Sequence, residues 1–322
     1  MRAGPNVRAM LKSFLKVPPF RSDPSIEGGL PQSYFAYGLP ILSSLPLPEL
    51  MPEPSPDVHQ VRICTGAVSP ELEGRKMSGG LFETSPGRFL LRLEGVARYL
   101  VADGDRIVID AAAEADEDSV RLFLLGSVFG ALLHQRGLLP LHASGIETSK
   151  GAVLFAGASG TGKSALAATF HARGYRVIAD EICALDRNYV RPGIPRLLLW
   201  RDALDDLGLW SGALRQVRPN LKKYHFPLER RSRDPLPVAA IYVLKTVMER
   251  DFRLLRVVGA ERFQVLVNCI FRRHFLTGMD AGTGYIDGVT TIARQIPISY
   301  VVRSVNGSVR ETADLLEKDF SL

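Results

Sequence analysis

A glycine-rich stretch, GASGTGKS at residues 157–164, carries the most specific chemical signal in the sequence. It fits the pattern G-x-x-x-x-G-K-[ST], in which glycines let the backbone turn its N–H groups toward phosphate oxygens. Lys163 can bring a positive charge to the terminal phosphates of a nucleotide, and the Ser164 hydroxyl can bind Mg²⁺. We therefore predict a nucleotide site formed by Gly157, Ala158, Ser159, Gly160, Thr161, Gly162, Lys163 and Ser164.

The segments on either side of this loop support that interpretation. The apolar run AVLFA before the loop predicts a strand, and SALAATFHAR after it predicts a helix. The N-terminus of a helix favours bound anions because its free N–H groups carry partial positive charge. A glycine-rich turn without a ligand would not explain why a lysine and a serine both stand at the start of the helix.

Two adjacent acids, Asp180 and Glu181, directly follow the apolar run YRVIA, which we predict to be a strand beside the first one. Ligands of open α/β sheets bind at the carboxyl ends of the strands, so both acids should lie near the phosphates. A carboxylate there can hold Mg²⁺ or accept the proton of an attacking hydroxyl. The alternatives are a solvated strand end or an acid that holds Ser164.

The spacing of these motifs resembles a known family. Asp180 follows Lys163 by seventeen residues (180 − 163), within RGYRVIADE at 173–181, and His142 precedes the loop in LHAS. Together they resemble the catalytic domain of HPr kinase/phosphorylase over residues 137–190. The resemblance implies an α/β fold with a P-loop kinase domain of the HPr kinase type, which uses ATP and Mg²⁺.

The same resemblance implies roles for single residues. Asp180 would take the proton from a serine hydroxyl, Lys163 would bind the phosphates, and His142 would position Asp180. Ser164 and Glu181 would lie at the metal ion. From the sequence alone, His142 is equally a core residue of an apolar strand. Glu181 stands where the family has a second Asp. The family's later glycine- and isoleucine-rich signature, which is tied to dephosphorylation, does not occur, so whether phosphate is also removed is left open.

More diffuse motifs over most of the chain are similar to a second group. They include YGLPILSSLPLPEL, RYLVADGDRIVID and FLLGSVFGALLHQRGLLPLHAS. These resemble HPr-kinase-like serine kinases of the lasso-peptide kinase type, which implies that the acceptor is the C-terminal serine of a precursor peptide. The alternatives are an HPr-type protein serine kinase/phosphorylase, a small-molecule (sugar) kinase, and a non-catalytic, nucleotide-gated peptide-binding module. The two acids argue against the last, because binding alone needs no base.

Basic residues that could contact the substrate or its phosphate follow in two places. Residues 215–233 are rich in Arg and Lys and could bind a peptide carboxylate or an acidic leader, whereas a solvated loop is the alternative. A pair of arginines after the apolar helix FQVLVNCIF could reach the transferring phosphate, although cations are also common at helix C-termini. The candidates are Arg218, Lys222, Arg272 and Arg273.

The chain changes character near residue 115. A proline-rich segment at 17–56, with one strand predicted at 34–42, is followed by short β-rich runs, among which VADGDRI predicts a hairpin. Beyond it, ADEDSVRLFLLGSVFGALLHQRG predicts a buried helix, and strand and helix patterns then alternate. We predict a smaller β-rich N-terminal domain at 1–114 and the α/β catalytic domain at 115–322.

Composition narrows the remaining function classes. The 322 residues carry a formal net charge of +6, which suits phosphate ligands, and no zinc-finger, leucine-zipper or RNP pattern indicates nucleic acid. Three widely spaced cysteines predict neither a metal site nor a disulfide framework, so we expect a cytoplasmic protein.

The run LFLLGSVFGALL is too short to cross a bilayer. A basic amphipathic segment at 7–15 predicts a helix on the protein's own surface, on an anionic membrane or on a partner. A homo-oligomer is left open.

Overall fold

The computed structural model describes residues 31–53, 60–249, 252–279 and 282–321. The amphipathic segment at 7–15 and the first part of the proline-rich segment lie outside the described residues. None of the described helices is both long and apolar enough to cross a membrane.

A nine-stranded sheet occupies the first part of the described chain. Its strands follow the order β3-β1-β2-β4-β9-β8-β7-β6-β5 and are mostly antiparallel. They are β1 (Gln32–Ala36), β2 (Leu39–Ser43), β3 (Met51–Pro52), β4 (Val61–Thr65), β5 (Met77–Ser78), β6 (Phe82–Ser85), β7 (Arg88–Leu93), β8 (Ala97–Ala102) and β9 (Arg106–Ala111).

Two tight hairpins show where turn chemistry was readable from the sequence and where it was not. The Asp103-Gly104 turn joins β8 to β9 with both residues at positive φ (54° and 69°), so the predicted hairpin is confirmed. The single strand predicted at 34–42 is wrong, because Tyr37 and Gly38 also adopt positive φ and split it into the β1–β2 hairpin. A tyrosine seldom adopts this conformation, so only Gly38 indicated the turn.

A helical stretch follows the first sheet. It comprises α1 (Glu117–Phe123), a π-helical turn (Leu124–Val128) and α2 (Phe129–Gln135). The Asp116 side chain caps α1 by accepting a hydrogen bond from the Ser119 N–H at 2.7 Å. Buried side chains of this stretch, such as Phe129, share one apolar core with the first sheet. The boundary predicted at 114/115 therefore crosses a common core, and the division into domains at that point stays a prediction.

A second sheet and its helices follow. Its strands are β10 (Leu139–Leu141), β11 (Ala143–Thr148), β12 (Gly151–Gly157), β13 (Arg176–Ala179), β14 (Cys183–Asp186), β15 (Tyr189–Val190), β18 (Leu236–Val247), β19 (Phe252–Arg256) and β20 (Ile298–Ser304), whereas β16 (Arg196–Trp200) and β17 (Lys223–Pro227) form a separate hairpin. The helices are α3 (Lys163–Ala172), α4 (Arg201–Leu207), α5 (Glu261–Cys269), α6 (Gly282–Gln295) and α7 (Val309–Ser321), with a 3-10 turn at Arg273–Leu276.

The strand order of this sheet differs from the prediction in the neighbour of β13, the strand that precedes the two acids. The order is β10-β14-β15-β18-β12-β11-β13, and β20 pairs with β18. The prediction that the strand before Asp180 runs beside β12 is wrong, since β11 lies between them and is antiparallel to both. The reason is that β11 and β12 form a hairpin, so the chain returns from α3 to the far side of that hairpin. β13 still runs in the same direction as β12, and both end at the same edge.

Helices cover both faces of the second sheet. One apolar core joins the sheet to α5 and α6. On the other face, a second core contains Leu166 and Phe170 of α3, Leu316 of α7 and Leu199 of the β16–β17 hairpin. The described part of the chain is therefore a mixed α/β structure with layers packed on a sheet, as the strand and helix patterns predicted.

Candidate active site

The glycine-rich loop connects the end of β12 to the start of α3. Gly157, Gly160 and Gly162 have φ values of 137°, 83° and 90°, in the region that only glycine enters without strain. Gly162 immediately precedes α3, so Lys163 and Ser164 stand in the first turn of a ten-residue helix. The free N–H groups of that turn make this end of the helix favourable for anions.

Lys163 is buried and turned back toward the loop. Its Nζ donates hydrogen bonds to the carbonyl oxygens of Gly157, at 3.0 Å, and Ala158, at 2.8 Å. Burial lowers the pKa of Lys163 to about 8, an effect that the negative charge of Asp180 opposes and the positive charge of Lys223 strengthens. Lys163 therefore stabilises the loop through these two hydrogen bonds, and its pKa depends on the charges of neighbouring side chains.

Asp180 joins three separate elements at this site. Its Oδ1 accepts hydrogen bonds from Ser164 Oγ at 2.9 Å and from Ser144 Oγ at 2.5 Å, and its Oδ2 accepts one from the Leu198 N–H at 2.9 Å. The side chains of Asp180 and Ser144 are buried, so these are charge-assisted bonds in a region of low dielectric constant. The carboxylate at the end of β13 is thereby fixed to α3, β11 and β16.

Glu181 lies beside Asp180 in a strained turn. Its φ is 67°, and the Ile182 N–H donates to the Asp180 carbonyl at 2.8 Å. This i→i+2 bond with positive φ at the central residue describes the rarer and more strained form of the γ-turn. Strain of this kind persists where the surrounding structure holds it in place, often at functional sites. Glu181 is more exposed than Asp180 and lines the same cavity.

His142 lies next to this cluster in front of β11. Its backbone N–H donates to the Cys269 carbonyl at 2.7 Å, and its ring packs edge-on against Phe271 with a centroid distance of 5.8 Å. Burial, strengthened by the charge of Lys163, lowers the pKa of His142 to about 4, so the imidazole is neutral at pH 7. Within the described residues no hydrogen bond joins the ring to Asp180, whose negative charge only partly opposes the lowering of the pKa of His142.

These residues open into a cavity of about 490 Å³. Its lining comes from the loop and the first turn of α3, from the two acids, from β16 and α4, and from the segment after β20. Among the lining residues are Ser159, Gly160, Lys163, Ser164, Asp180 and Glu181, together with His142 and Lys223. The structure thus brings the predicted loop, acids and histidine to one place.

The predicted basic contacts lie elsewhere. Arg218 packs against the ring of Phe123, with its Cζ 6.0 Å from the ring centroid, and Lys222 is exposed. Arg272 and Arg273 are exposed, and Arg273 Nη1 donates to Asn268 at 3.4 Å. The lining of the cavity, as far as the chain is described, includes none of these four residues. Lys223, which follows Lys222 and is the first residue of β17, lines the cavity instead.

The sequence analysis also missed an arginine on β20, which lies on the other side of β12 from β13 in the strand order. Arg303 is buried near the end of β20, and its Nη2 and Nη1 donate to the carbonyls of Thr161 and Gly307, both at 3.1 Å. Because β12, β18 and β20 are parallel, their carboxyl ends share an edge of the sheet. Residues 305–310, which follow β20, therefore border the same cavity. No sequence motif marks this segment; only the strand order reveals it.

The contact between Gly162 and Arg303 leads to a stability prediction. A Cβ added at Gly162 would come within 2.7 Å of Arg303 Nη2, whereas a Cβ at Gly160 would meet nothing within 4 Å. Both glycines have positive φ, so each Ala substitution should lower the free energy of unfolding by about 1–2 kcal/mol. Gly162→Ala should cost about 1 kcal/mol more, because Arg303 must give up its bond to Thr161. Urea denaturation of both variants measures the difference; equal losses would contradict this role of Arg303.

Comparisons with known proteins add little to this geometry. No protein-family model and no curated protein matches the chain. Among solved structures, the chain is similar to the HPr(Ser) kinase/phosphatase from Coxiella burnetii, at 14% sequence identity and a TM-score of 0.29, over 56% of this chain and 95% of that one. A TM-score this low supports no argument about the fold or the site.

Proposed function

We propose that this chain is an ATP- and Mg²⁺-dependent kinase with a domain of the HPr kinase type, which transfers the γ-phosphoryl group to a serine hydroxyl of a peptide or protein. The observation that carries the proposal is the buried Asp180, hydrogen-bonded to Ser164 at the start of α3 and sharing a cavity with Lys163. Binding of a nucleotide alone would not need a base beside the glycine-rich loop. Within this proposal, the motifs distributed along the chain favour the C-terminal serine of a lasso-peptide precursor as the acceptor.

The residues present fit a magnesium nucleotide. Gly157, Gly160 and Gly162 have positive φ, which lets the loop backbone turn its N–H groups toward a phosphate, and the space that a Cβ at Gly160 would enter is open. In the described residues no group of three or more His, Cys, Asp or Glu is arranged to hold a metal by itself. Mg²⁺ commonly binds through one or two carboxylates plus substrate phosphates, and the Ser164 hydroxyl and the Glu181 carboxylate offer oxygen ligands for that arrangement. When bound, the ion would draw negative charge from the phosphates.

Each residue of the site has a task in this proposal. The amides of the loop and Lys163 would bind the phosphates and stabilise the charge that develops during transfer. Asp180 uses three of the about four acceptor positions of a carboxylate for Ser144, Ser164 and Leu198, which leaves one on Oδ2 for the acceptor hydroxyl. It would orient that hydroxyl and take its proton as the oxygen attacks in line.

A screen of acceptors tests this proposal against its alternatives. The protein is incubated with ATP and Mg²⁺ and with serine peptides, intact small proteins or sugars, and ADP formation is measured. We expect acceptor-dependent ADP formation with serine peptides and none with the matching alanine peptides. Turnover with sugars alone would favour a small-molecule kinase. Tight ATP binding without turnover on any acceptor would favour a nucleotide-gated binding module.

The pKa of Lys163 predicts how ATP affinity depends on pH. The protonated lysine attracts the phosphates, and with a pKa of about 8 the free site loses this charge as the pH rises. The dissociation constant for ATP should therefore be constant below pH 7 and rise above pH 8, by at most about tenfold per pH unit for a single proton. Titration with a fluorescent ATP analogue from pH 6.5 to 9.5 measures it, and Lys163→Arg, which stays charged, should show a flat profile. A flat profile in the unchanged protein would contradict the assignment.

A further inference from the structure

A second cavity, also of about 490 Å³, lies between the first sheet and the β16–β17 hairpin. Its polar lining consists of Glu49, Arg196, Arg215, His225 and Arg231, and the rest is mainly leucine, methionine and proline. None of the described residues lines both this cavity and the candidate active site. The lining therefore combines apolar walls with three guanidinium groups and one carboxylate.

Arg196 is the most unusual of these groups. Its side chain is buried, with only 7% of the residue exposed, and no carboxylate of the described residues lies within 4.0 Å of it. Its Nη1 donates instead to Nδ1 of His225 at 3.0 Å, which requires the imidazole proton to be on Nε2. Burial lowers the pKa of Arg196, and the charges of Glu181 and Glu49, which form no ion pair with it, oppose this only in part. A buried charge that lacks a close ion pair is costly. This position is accordingly suited to an anion that comes from outside.

Glu49 and Arg231 add unsatisfied polar atoms to the same walls. Glu49 Oε1 pairs with Arg215 and with Arg121 Nε, whereas its buried Oε2 has no hydrogen-bond partner among the described residues. The buried Nε of Arg231 likewise has none in that part of the chain. An unpaired acceptor and an unpaired donor fit a ligand that offers both kinds of group, as a peptide backbone does. His225 adds no charge, because burial and the charges of Arg196 and Arg215 lower its pKa to about 3.

Strand β16 links this cavity to the candidate active site. Arg196 at its start lines the second cavity, the Leu198 N–H binds Asp180, and Trp200 at its end lines the first cavity. A strand rises by about 3.3 Å per residue. Arg196 is therefore two steps, about 7 Å, from Leu198, which binds Asp180, and four steps, about 13 Å, from Trp200. An extended peptide with its serine at Asp180 would reach Arg196 within two to four residues.

From this arrangement we propose that the second cavity binds a carboxylate of the acceptor peptide, located two to four residues from the acceptor serine. For a C-terminal acceptor serine the carboxylate comes from an acidic side chain that precedes it, and for an internal serine it comes from an acidic side chain or from the chain terminus. The proposal rests on the proposed function, since it assigns the substrate of that site. The apolar and proline-rich walls favour a peptide over free inorganic phosphate, which would need polar groups on all sides.

Direct binding of short peptides tests the proposal independently of phosphoryl transfer. The probes are three fluorescein-labelled peptides of six residues with a central serine: one with Glu three residues from the serine and an amidated terminus, one with Gln there and a free terminal carboxylate two residues from the serine, and one with Gln and an amide. Fluorescence anisotropy in the presence of a non-hydrolysable ATP analogue gives the dissociation constants. We expect one or both carboxylate peptides to bind at least about tenfold more tightly than the neutral peptide. The better of the two identifies the source of the carboxylate.

Variants locate the preference. Arg231→Gln and Arg196→Gln should each remove most of it while affinity for the ATP analogue is retained, and Arg231→Gln serves if Arg196→Gln does not fold. Arg230→Gln is the matched control, because Arg230 is adjacent and exposed but does not line this cavity. Equal binding of all three peptides, a preference unchanged in both variants, or displacement of the carboxylate peptide by inorganic phosphate at equal concentration would overturn the proposal. Binding with this preference but without transfer would contradict only the proposed function, and transfer to serine peptides without any preference would contradict only the assignment of this cavity.

Discussion

Asp180→Asn should lower the rate of phosphoryl transfer by about 100- to 10,000-fold, the range expected for loss of a general base, with little change in the dissociation constant for ATP. Asparagine keeps the size of the side chain, and its oxygen can still accept hydrogen bonds from Ser144 and Ser164, whereas the bond from the Leu198 N–H is lost because an amide nitrogen cannot accept it. Its amide cannot take a proton. ADP formation with a serine peptide measures the rate, and titration with a fluorescent ATP analogue measures the affinity.

Asp206→Asn is the matched control for this variant. Asp206 is a carboxylate that lines the same cavity but lies exposed on α4, without the contacts of Asp180. Its substitution should leave the transfer rate close to that of the unchanged protein. Equal losses in both variants would indicate that only the overall charge of the cavity matters, and normal turnover in Asp180→Asn would contradict the role of Asp180 as base.

A double-mutant comparison separates the two tasks of Asp180. If the carboxylate served only to hold Ser164, then Ser164→Ala should lose as much activity as Asp180→Asn, and the double variant should lose no more than either. If Asp180 also takes the proton, Asp180→Asn should lose clearly more than Ser164→Ala. We expect the second result, because the geometry leaves an acceptor position on Oδ2 of Asp180.

Lys163→Ala should weaken both ATP binding and transfer. A hydrogen bond to a charged group contributes about 1.5–3 kcal/mol, so the dissociation constant for ATP should rise by about 10- to 150-fold. The transfer rate at saturating ATP should also fall, because the lysine stabilises charge that develops on the phosphates during transfer. Isothermal titration calorimetry and steady-state kinetics measure the two effects separately.

The control for this variant is Lys150→Ala. Lys150 is an exposed lysine in the turn before β12, at the end of that strand opposite the glycine-rich loop. Its removal changes the net charge by the same amount, so it corrects for any long-range attraction of ATP to a basic protein. ATP affinity that is unaffected by Lys163→Ala, or lowered equally by both substitutions, would contradict the assignment of the loop.

How much of the site could be read from the sequence depends on how local each signal is. Gly162, Lys163 and Ser164 are adjacent in the chain, and their loop geometry follows from residue types and from the strand and helix around them. Asp180 was located by the apolar strand that ends just before it. Its position at the edge near the loop follows from the direction of β13, even though the neighbouring strand was assigned wrongly.

The remaining parts of the site depend on contacts between distant segments. Ser144 reaches Asp180 because β11 lies between β12 and β13, and Arg303 reaches the loop because β20 pairs with β18. No local pattern encodes either pairing. Of two adjacent lysines in the basic segment 215–233, Lys223 in β17 lines the cavity and Lys222 does not, and only the pairing of β17 with β16 reveals this. A contact of Lys222 with the substrate stays a prediction.

The most direct test of the central claim is the intact mass of a serine peptide after incubation with the protein, ATP and Mg²⁺. The account predicts a gain of one phosphate group on the peptide, at the serine when the product is fragmented. The gain should be absent with Asp180→Asn and retained with Asp206→Asn. If ATP is bound but no serine peptide or protein in any pool gains mass, the claim that this site phosphorylates serine is contradicted.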